Sequence, residues 1–133
     1  MSVTGEGLRR LTTWVFVIVG VVLLMVAIRN AVGTYGFIRT ATRVEGKVVG
    51  LNAGGSHPQI RFAPKQGETI SFPQGGLIFG LRPGDTVPVL FRPENPAGSA
   101  TVGAIGALWF ATFVPACIAV LLLIAARTLS RVG

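Results

Sequence analysis

Charged residues are scarce in this chain of 133 residues. Only 13% of its residues are charged, against about 25% in an average soluble domain, and half are hydrophobic. The mean hydropathy is +0.65. This composition excludes an ordinary soluble globule, and it equally excludes a disordered chain. The length allows one small domain rather than two soluble ones.

Acidic residues and cysteine are rarer still. Five Asp and Glu stand against twelve Lys and Arg, which gives a formal net charge of +7. The arginines flank apolar segments and do not form a basic run with interleaved aromatics, so the pattern favours anionic lipid over nucleic acid. The single cysteine, Cys117, lies in an apolar stretch and cannot form an internal disulfide. We therefore expect membrane lipid as a partner, and no nucleic acid.

Groups that could perform catalysis or bind a metal are also sparse. The one histidine, His57, precedes Pro58 in a turn, and the five acids lie in different turns and strands. Nothing in the sequence pairs two acids for acid–base work, and a metal site needs three or four ligands. The glycine pairs lack the framing of a phosphate loop. The sequence predicts a protein that is not an enzyme, with no catalytic or metal site, no cofactor and no small-molecule substrate.

Two long uncharged runs dominate the chain, residues 11–28 and 101–126, of 18 and 26 residues. At 1.5 Å per residue the shorter run makes a helix of about 27 Å, close to the hydrocarbon thickness of a bilayer. Each run predicts a transmembrane helix, and neither holds an acid or base that would suggest a proton relay or a channel. A cleaved signal peptide is the alternative for the first run, although no clean cleavage site follows it.

Small residues recur every four positions in the second run, at Gly103, Ala107 and Ala111. Such spacing lets another helix approach closely, and the face of the first run that carries Gly20 is the candidate partner. Chance spacing is the alternative, because alanine and glycine are common in membrane helices. We expect these residues to pack the two spans together.

Two tryptophans and a proline mark further positions in the runs. Trp14, near the start of the first run, suits an interfacial anchor. Trp109 lies deeper in the second run, where packing against the other helix is expected. Pro115 removes one backbone donor in mid-span and predicts a kink, either a tolerated one or a hinge.

The segment 29–42 is expected to be a juxtamembrane linker or a frayed extension of the first helix. Gly33 and Gly36 weaken a helix there. Arg29, Arg39 and Arg43 would suit the phosphates of lipid headgroups, with simple solvation as the alternative.

A period of two replaces the long apolar runs between residues 43 and 100. Val44 and Val48 share one face of a strand, as do Ile60 and Phe62 of the next. Turn signals separate the alternating stretches. The predicted strands cover residues 43–51, 59–62, 69–72 and 86–91, with a short fifth at 98–101. We expect a small antiparallel β-barrel or meander of four or five strands, flanked by the two transmembrane helices.

A glycine-bounded loop, residues 74–81, lies outside the alternating pattern. It contains Leu77, Ile78, Phe79 and Leu81. These side chains either plug one end of the barrel or form an exposed apolar patch for lipid or a protein partner. We name them as a possible partner-binding loop.

The order of the strand motifs resembles a known bacterial family. The motifs are Val44-Glu-Gly-Lys-Val-Val49, His57-Pro-Gln-Ile-Arg-Phe62, Ile70-Ser-Phe72, Gly84-Asp-Thr-Val-Pro-Val-Leu90 and Pro93-Glu-Asn-Pro-Ala97. With a span on each side, they are similar to the family called domain of unknown function 3592. The resemblance covers nearly the whole chain and implies a membrane-anchored β-domain. It carries no established activity and therefore assigns no functional residues.

Arginines at the span ends predict the orientation. The tails, residues 1–10 and 127–133, are short and carry arginines directly at the spans, so we place both in the cytoplasm and the β-domain outside the bacterial inner membrane. The expected function is a non-enzymatic interaction module of the cell envelope, with a protein partner or a homo-oligomer. The alternatives are an immunity protein against a membrane- or envelope-acting toxin, and a structural, lipid-contacting protein.

Overall fold

The computed structural model describes residues 4–65 and 67–132. It divides into a β-domain unit, Val32–Phe110, and a helical unit made of the residues up to Ala31 and those from Ala111. The elements are α1 Gly5–Thr40, β1 Thr42–Asn52, β2 His57–Phe62, β3 Ile70–Pro73, β4 Thr86–Phe91, α2 Pro96–Ser99, β5 Thr101–Val102, α3 Ile105–Leu108 and α4 Phe110–Arg131.

Helix α1 is longer than the apolar run that predicted it. It starts before Arg9 and continues past Arg29 to Thr40. Residues 29–40 of the expected linker are therefore a helical extension of α1. Gly33 and Gly36 lie inside the helix despite their low helix propensity. Extending an existing helix costs less free energy than starting a new one, so α1 continues through both glycines. β1 begins two residues later, at Thr42.

The β-domain is a five-stranded antiparallel sheet with the order β3-β2-β1-β4-β5. The antiparallel sheet predicted from the alternation is confirmed. The long central strand β1 pairs with β2 on one side and β4 on the other, with Gly46 opposite both Phe62 and Val87. The register of β1 against β2 shifts between Val48 and Gly50, a bulge that bends the strand.

One face of the sheet supplies the core. Val48, Ile60, Phe62, Val87 and Val89 are buried together there, as their spacing of two predicts. Phe72 meets the Phe62 ring edge-on, with 5.8 Å between centroids, and Phe91 lies 5.3 Å from it on the other side; both residues are also buried. Aromatic pairs at these separations add to the burial of apolar area.

A glutamine side chain bridges the two edges of the sheet. Gln74 follows edge strand β3, and its Oε1 accepts from the backbone N–H of Val102 in edge strand β5 at 2.6 Å. Its Nε2 donates to the hydroxyl of Thr101 at 3.2 Å. Gln74 is buried, so these bonds satisfy polar atoms that would otherwise be costly. The sheet is therefore curled into a half-barrel, and the Gln74 side chain links its two edges.

The chain between β4 and α4 differs from the sequence prediction. The expected fifth strand at 98–101 is replaced by α2 and by a two-residue β5 that starts at Thr101. The Asn95 carboxamide oxygen accepts from the backbone N–H of Gly98 and caps α2, which turns the chain earlier than the alternation suggested. Residues 101–109 carry no charge but belong to the β-domain unit, and the continuous helix α4 begins at Phe110.

The expected helical face of small residues is not formed. Gly103 lies between β5 and α3, Ala107 in α3 and Ala111 in α4, so the three share no helix. A Cβ on Gly103 would meet the side chains of Leu90 and Pro88, which shows that this glycine lets the chain lie against β4. Trp109 follows α3 and precedes α4, so it lies outside the long apolar helix and not deep within it as the apolar run predicted.

Small residues nevertheless pack α1 against α4 at other positions. Gly20 and Ala27 are the buried residues of α1, and Thr112, Ala119 and Ala126 those of α4. Each set repeats every seven residues, the spacing of a left-handed helix pair. A Cβ on Gly20 would lie 3.4 Å from the Ala119 carbonyl oxygen and closer still to Leu123. Gly20 therefore does face the other helix, as the sequence suggested.

A side chain of α1 satisfies the carbonyl that Pro115 leaves without its usual partner. In an α-helix the N–H of residue 115 would donate to the carbonyl of residue 111, and proline has no N–H. The Nδ2 of Asn30 donates to the Ala111 carbonyl oxygen at 2.7 Å instead. Asn30 thereby links the two helices at the position of the proline.

Candidate functional site

The loop 74–81 alternates between the core and the surface. Ile78 is buried in the sheet core and Leu81 packs partly against it. Leu77 and Phe79, on either side of Ile78, are 49% and 68% exposed. The loop therefore serves both expected purposes. Ile78 and Leu81 plug the half-barrel, while Leu77 and Phe79 are exposed.

The outward pair has an apolar neighbour from α3. The backbone N–H of Leu77 donates at 3.1 Å to the carbonyl of Gly106, the residue that follows Ile105. Ile105 is 71% exposed. Gly76 and Gly106 permit this approach, because a Cβ on either would collide with the opposite backbone. We call Leu77, Phe79 and Ile105 the apolar patch.

Helix α3 is tied to the end of α1. The hydroxyl of Thr34 donates to the Leu108 carbonyl at 3.3 Å. Tyr35 follows Thr34 and is exposed, and Trp109 follows Leu108. The bond between α1 and α3 therefore lies next to two residues, Tyr35 and Trp109, of types that favour a membrane–water interface.

The three arginines proposed for headgroup contacts are exposed but are not brought together. Arg29 and Arg39 are ten residues apart on α1, about 15 Å of helix rise, which exceeds the thickness of one headgroup layer. The Arg39 guanidinium lies 5.7 Å from the centroid of the Tyr35 ring. Arg43 starts the exposed face of β1 and lines an open cleft with Glu45 and Thr86.

Residues 4–65 and 67–132 contain no group of three or more His, Cys, Asp or Glu that could hold a metal. His57 is exposed, and its Nδ1 lies 2.9 Å from the Ser56 hydroxyl in the turn before β2. The Asp85 carboxylate accepts from the backbone N–H of Arg82 at 2.7 Å and closes the turn before β4. Each of these two groups therefore serves a turn.

The part of the site that sequence reasoning missed is Ile105. It was assigned to the second span, because an exposed isoleucine of a folded domain and a lipid-facing one look alike in an uncharged run. The signal that was present is the pair of glycines around it, Gly103 and Gly106, since glycines on both sides of a short segment favour a tight turn over a continuous helix.

The fold and site thus define a small β-domain attached to two long apolar helices. A protein of Pseudomonas aeruginosa, strain PAO1, named immune protein Tsi4, is 50% identical to this chain over 94 residues. The matched region covers 71% of this chain and 65% of the relative, so the chain spans a little less than two thirds of that protein's length. No protein-family model matches the sequence, and no solved structure matches it. The resemblance to domain of unknown function 3592 stays a prediction.

Proposed function

We propose that this chain is a non-enzymatic immunity protein, held in the bacterial inner membrane, that protects its cell from a membrane- or envelope-acting toxin. The observation that carries the proposal is the 50% identity with immune protein Tsi4. This relative supports immunity over the other functions expected from the sequence, and it supports a protein as the partner.

Two properties of the helices support membrane anchoring. Their 18-residue apolar windows are only 11% and 17% buried, whereas the core helix of a soluble protein is mostly buried. α4 also lies far from the N-terminus, where a signal sequence would be found, and it packs its small residues against α1. Loss of α1 by cleavage would expose Ala119 and Ala126, so we propose that both helices are retained.

The proposed orientation places residues 1–10 and 127–133 in the cytoplasm and the β-domain outside. Labelling of Ser56→Cys in a Cys117→Ala background tests it with a membrane-impermeant maleimide. Ser56 should react in intact spheroplasts, while Ser130→Cys in the same background should react only after permeabilisation. The reverse pattern would contradict the orientation without affecting the immunity proposal.

Deletion of the gene tests immunity without knowledge of the toxin. A deletion strain grown in contact with its parent should be killed or inhibited, and a plasmid copy of the gene should restore its survival. The matched control is a plasmid that encodes Ile60→Asp, which places a charge at a fully buried core position and should fail to protect. Equal survival of the deletion strain and the parent, under conditions where the parent inhibits other bacteria, would contradict the proposal.

A further inference from the structure

The apolar patch combines exposed side chains from two segments of the β-domain unit that are joined by a backbone hydrogen bond. Leu77, Phe79 and Ile105 are 49%, 68% and 71% exposed, although Ile78 between the first two is buried. The bond from the Leu77 N–H to the Gly106 carbonyl brings the two segments together, so three exposed apolar side chains lie in one region of the surface, which favours an apolar surrounding.

Two aromatic residues of α1 indicate where along this helix the boundaries of a bilayer would lie. Tyr35 follows Trp14 by 21 residues on one continuous helix, a rise of about 32 Å. The hydrocarbon layer of a bilayer is about 30 Å thick, and Trp and Tyr concentrate at its two boundaries. Trp14 and Tyr35, both exposed, are therefore spaced like residues at opposite boundaries.

Hydrogen bonds connect the patch to the Tyr35 boundary. The Thr34 hydroxyl donates to the Leu108 carbonyl, and two residues earlier in the same short helix the Gly106 carbonyl accepts from the N–H of Leu77. Ile105 lies five residues before Phe110, which starts α4. The patch is thus connected on one side to α1 beside Tyr35 and on the other to the first residue of the second apolar helix.

Arginines near the same boundary have the geometry of interfacial residues. The Arg92 guanidinium lies 5.5 Å from the centroid of the Phe37 ring, and the Arg39 guanidinium lies over Tyr35. In an interface such side chains place the apolar stem toward the acyl chains and the guanidinium among the phosphates.

We infer that Leu77, Phe79 and Ile105 insert into the headgroup–acyl boundary of the bilayer, so that lipid covers the patch. The inference rests on the membrane anchoring proposed above. It reassigns the loop that the sequence offered to a protein partner, and it leaves the remaining surface of the β-domain to the toxin.

Depth-dependent fluorescence quenching tests the inference. In a Cys117→Ala background, Phe79→Cys and Ile105→Cys are each labelled with an environment-sensitive fluorophore, and the full chain is reconstituted into vesicles of phosphatidylcholine and phosphatidylglycerol. Lipids brominated near the top of the acyl chain quench a probe at the boundary, lipids brominated near the chain end quench a probe at the bilayer centre, and iodide quenches a probe in water. Leu121→Cys, exposed on α4, is the control for a membrane position, and Leu51→Cys, exposed near the far end of β1, is the control for a water position.

The expected result is that probes at positions 79 and 105 lose most of their emission to the lipid brominated near the top of the acyl chain and little to iodide, whereas the probe at Leu121 loses most of its emission to the lipid brominated near the chain end. Quenching of the Leu121 probe by lipid, together with quenching of the Phe79 probe by iodide, would overturn the inference and leave the patch to a protein, with anchoring intact. If lipid quenches neither the Leu121 probe nor the Phe79 probe, the proposed membrane anchoring is wrong as well. Failure of immunity would appear in the deletion experiment and would leave these signals unchanged.

Discussion

The two units of this protein bury opposite kinds of side chain. In the β-domain the buried residues are large and apolar, with Ile60 and Val89 completely inaccessible. In the helical unit the buried residues are small, with Ala119 the most buried, and large residues such as Leu121 face outward. A water-soluble fold needs the first arrangement, because burial of apolar area drives its packing. The second arrangement suits lipid, where large apolar side chains lose nothing at the surface and close backbone approach stabilises the helix pair.

The largest contrast is expected from removing a large apolar side chain in each unit. Ile60→Ala should lower the free energy of unfolding by about 2–5 kcal/mol, because it leaves a cavity in a fully buried site. Leu121→Ala, on a residue that is 67% exposed, should change it by less than about 0.5 kcal/mol. Amide hydrogen exchange in mild detergent reports both. If Leu121→Ala lowers the free energy of unfolding as much as Ile60→Ala does, α4 is packed inside a protein core.

A methyl group added to the β-domain should also be costly where strands are close. Gly46→Ala would place a Cβ 2.6 Å from Val89 Cγ2, so the sheet must shift, at a cost of about 1–3 kcal/mol. Gly50→Ala on the same strand is the matched control, since its nearest neighbour would be Gln59 Cβ at 3.7 Å. Thermal unfolding followed by circular dichroism compares the two variants. Equal midpoints would contradict the packing described for β1.

Enlarging a small residue tests the helical unit in the opposite direction. Ala119→Leu should separate α1 from α4 and cost about 1–3 kcal/mol, because the residue is completely buried against α1. Its neighbour Val120 is exposed, so Val120→Leu should have almost no effect. The concentration of SDS that separates the helices in mixed micelles measures the difference. If Val120→Leu is the more harmful change, the assigned helix face is wrong.

The smallest effect is expected at the bond between Asn30 and the Ala111 carbonyl. Hydrogen bonds between helices in membranes contribute about 0.6 kcal/mol on average and about 1.7 at most, so Asn30→Leu should destabilise the pair by an amount in that range. Pro115→Ala restores the N–H that α4 lacks and should reduce the effect of Asn30→Leu. The double-mutant cycle is measured by the same SDS titration. Strictly additive effects would contradict the link between Asn30 and Pro115.

The alternation of apolar residues was sufficient to predict the central strands. The apolar residues of β1, β2 and β4 follow the period of two, and the sheet forms there because these side chains share the core face: Val48, Ile60, Phe62, Val87, Val89 and Phe91. Continuity of the apolar run predicted the helices, although α1 extends through Gly33 and Gly36 to Thr40.

The sequence could not predict the contacts that form between the two edge strands of the sheet, because these strands are far apart in the chain. Gln74 looked like an ordinary loop residue, because the strand it reaches is separated from it by 28 positions. Residues 101–109 were assigned to the second span, because an uncharged segment of a small β-domain and a lipid-buried segment have the same composition. The apolar patch could not be predicted for both reasons, since the bond from Leu77 to Gly106 forms between segments that the sequence assigned to a loop and to a span.

The retention of both helices in the membrane is tested most directly by extraction. Membranes from cells that express the full chain are washed with alkaline carbonate, which releases peripheral proteins and keeps those that span the bilayer. The account predicts that the protein stays in the membrane pellet, at a mass that still includes α1. Release into the wash, or a mature form that lacks the first apolar run, would contradict it.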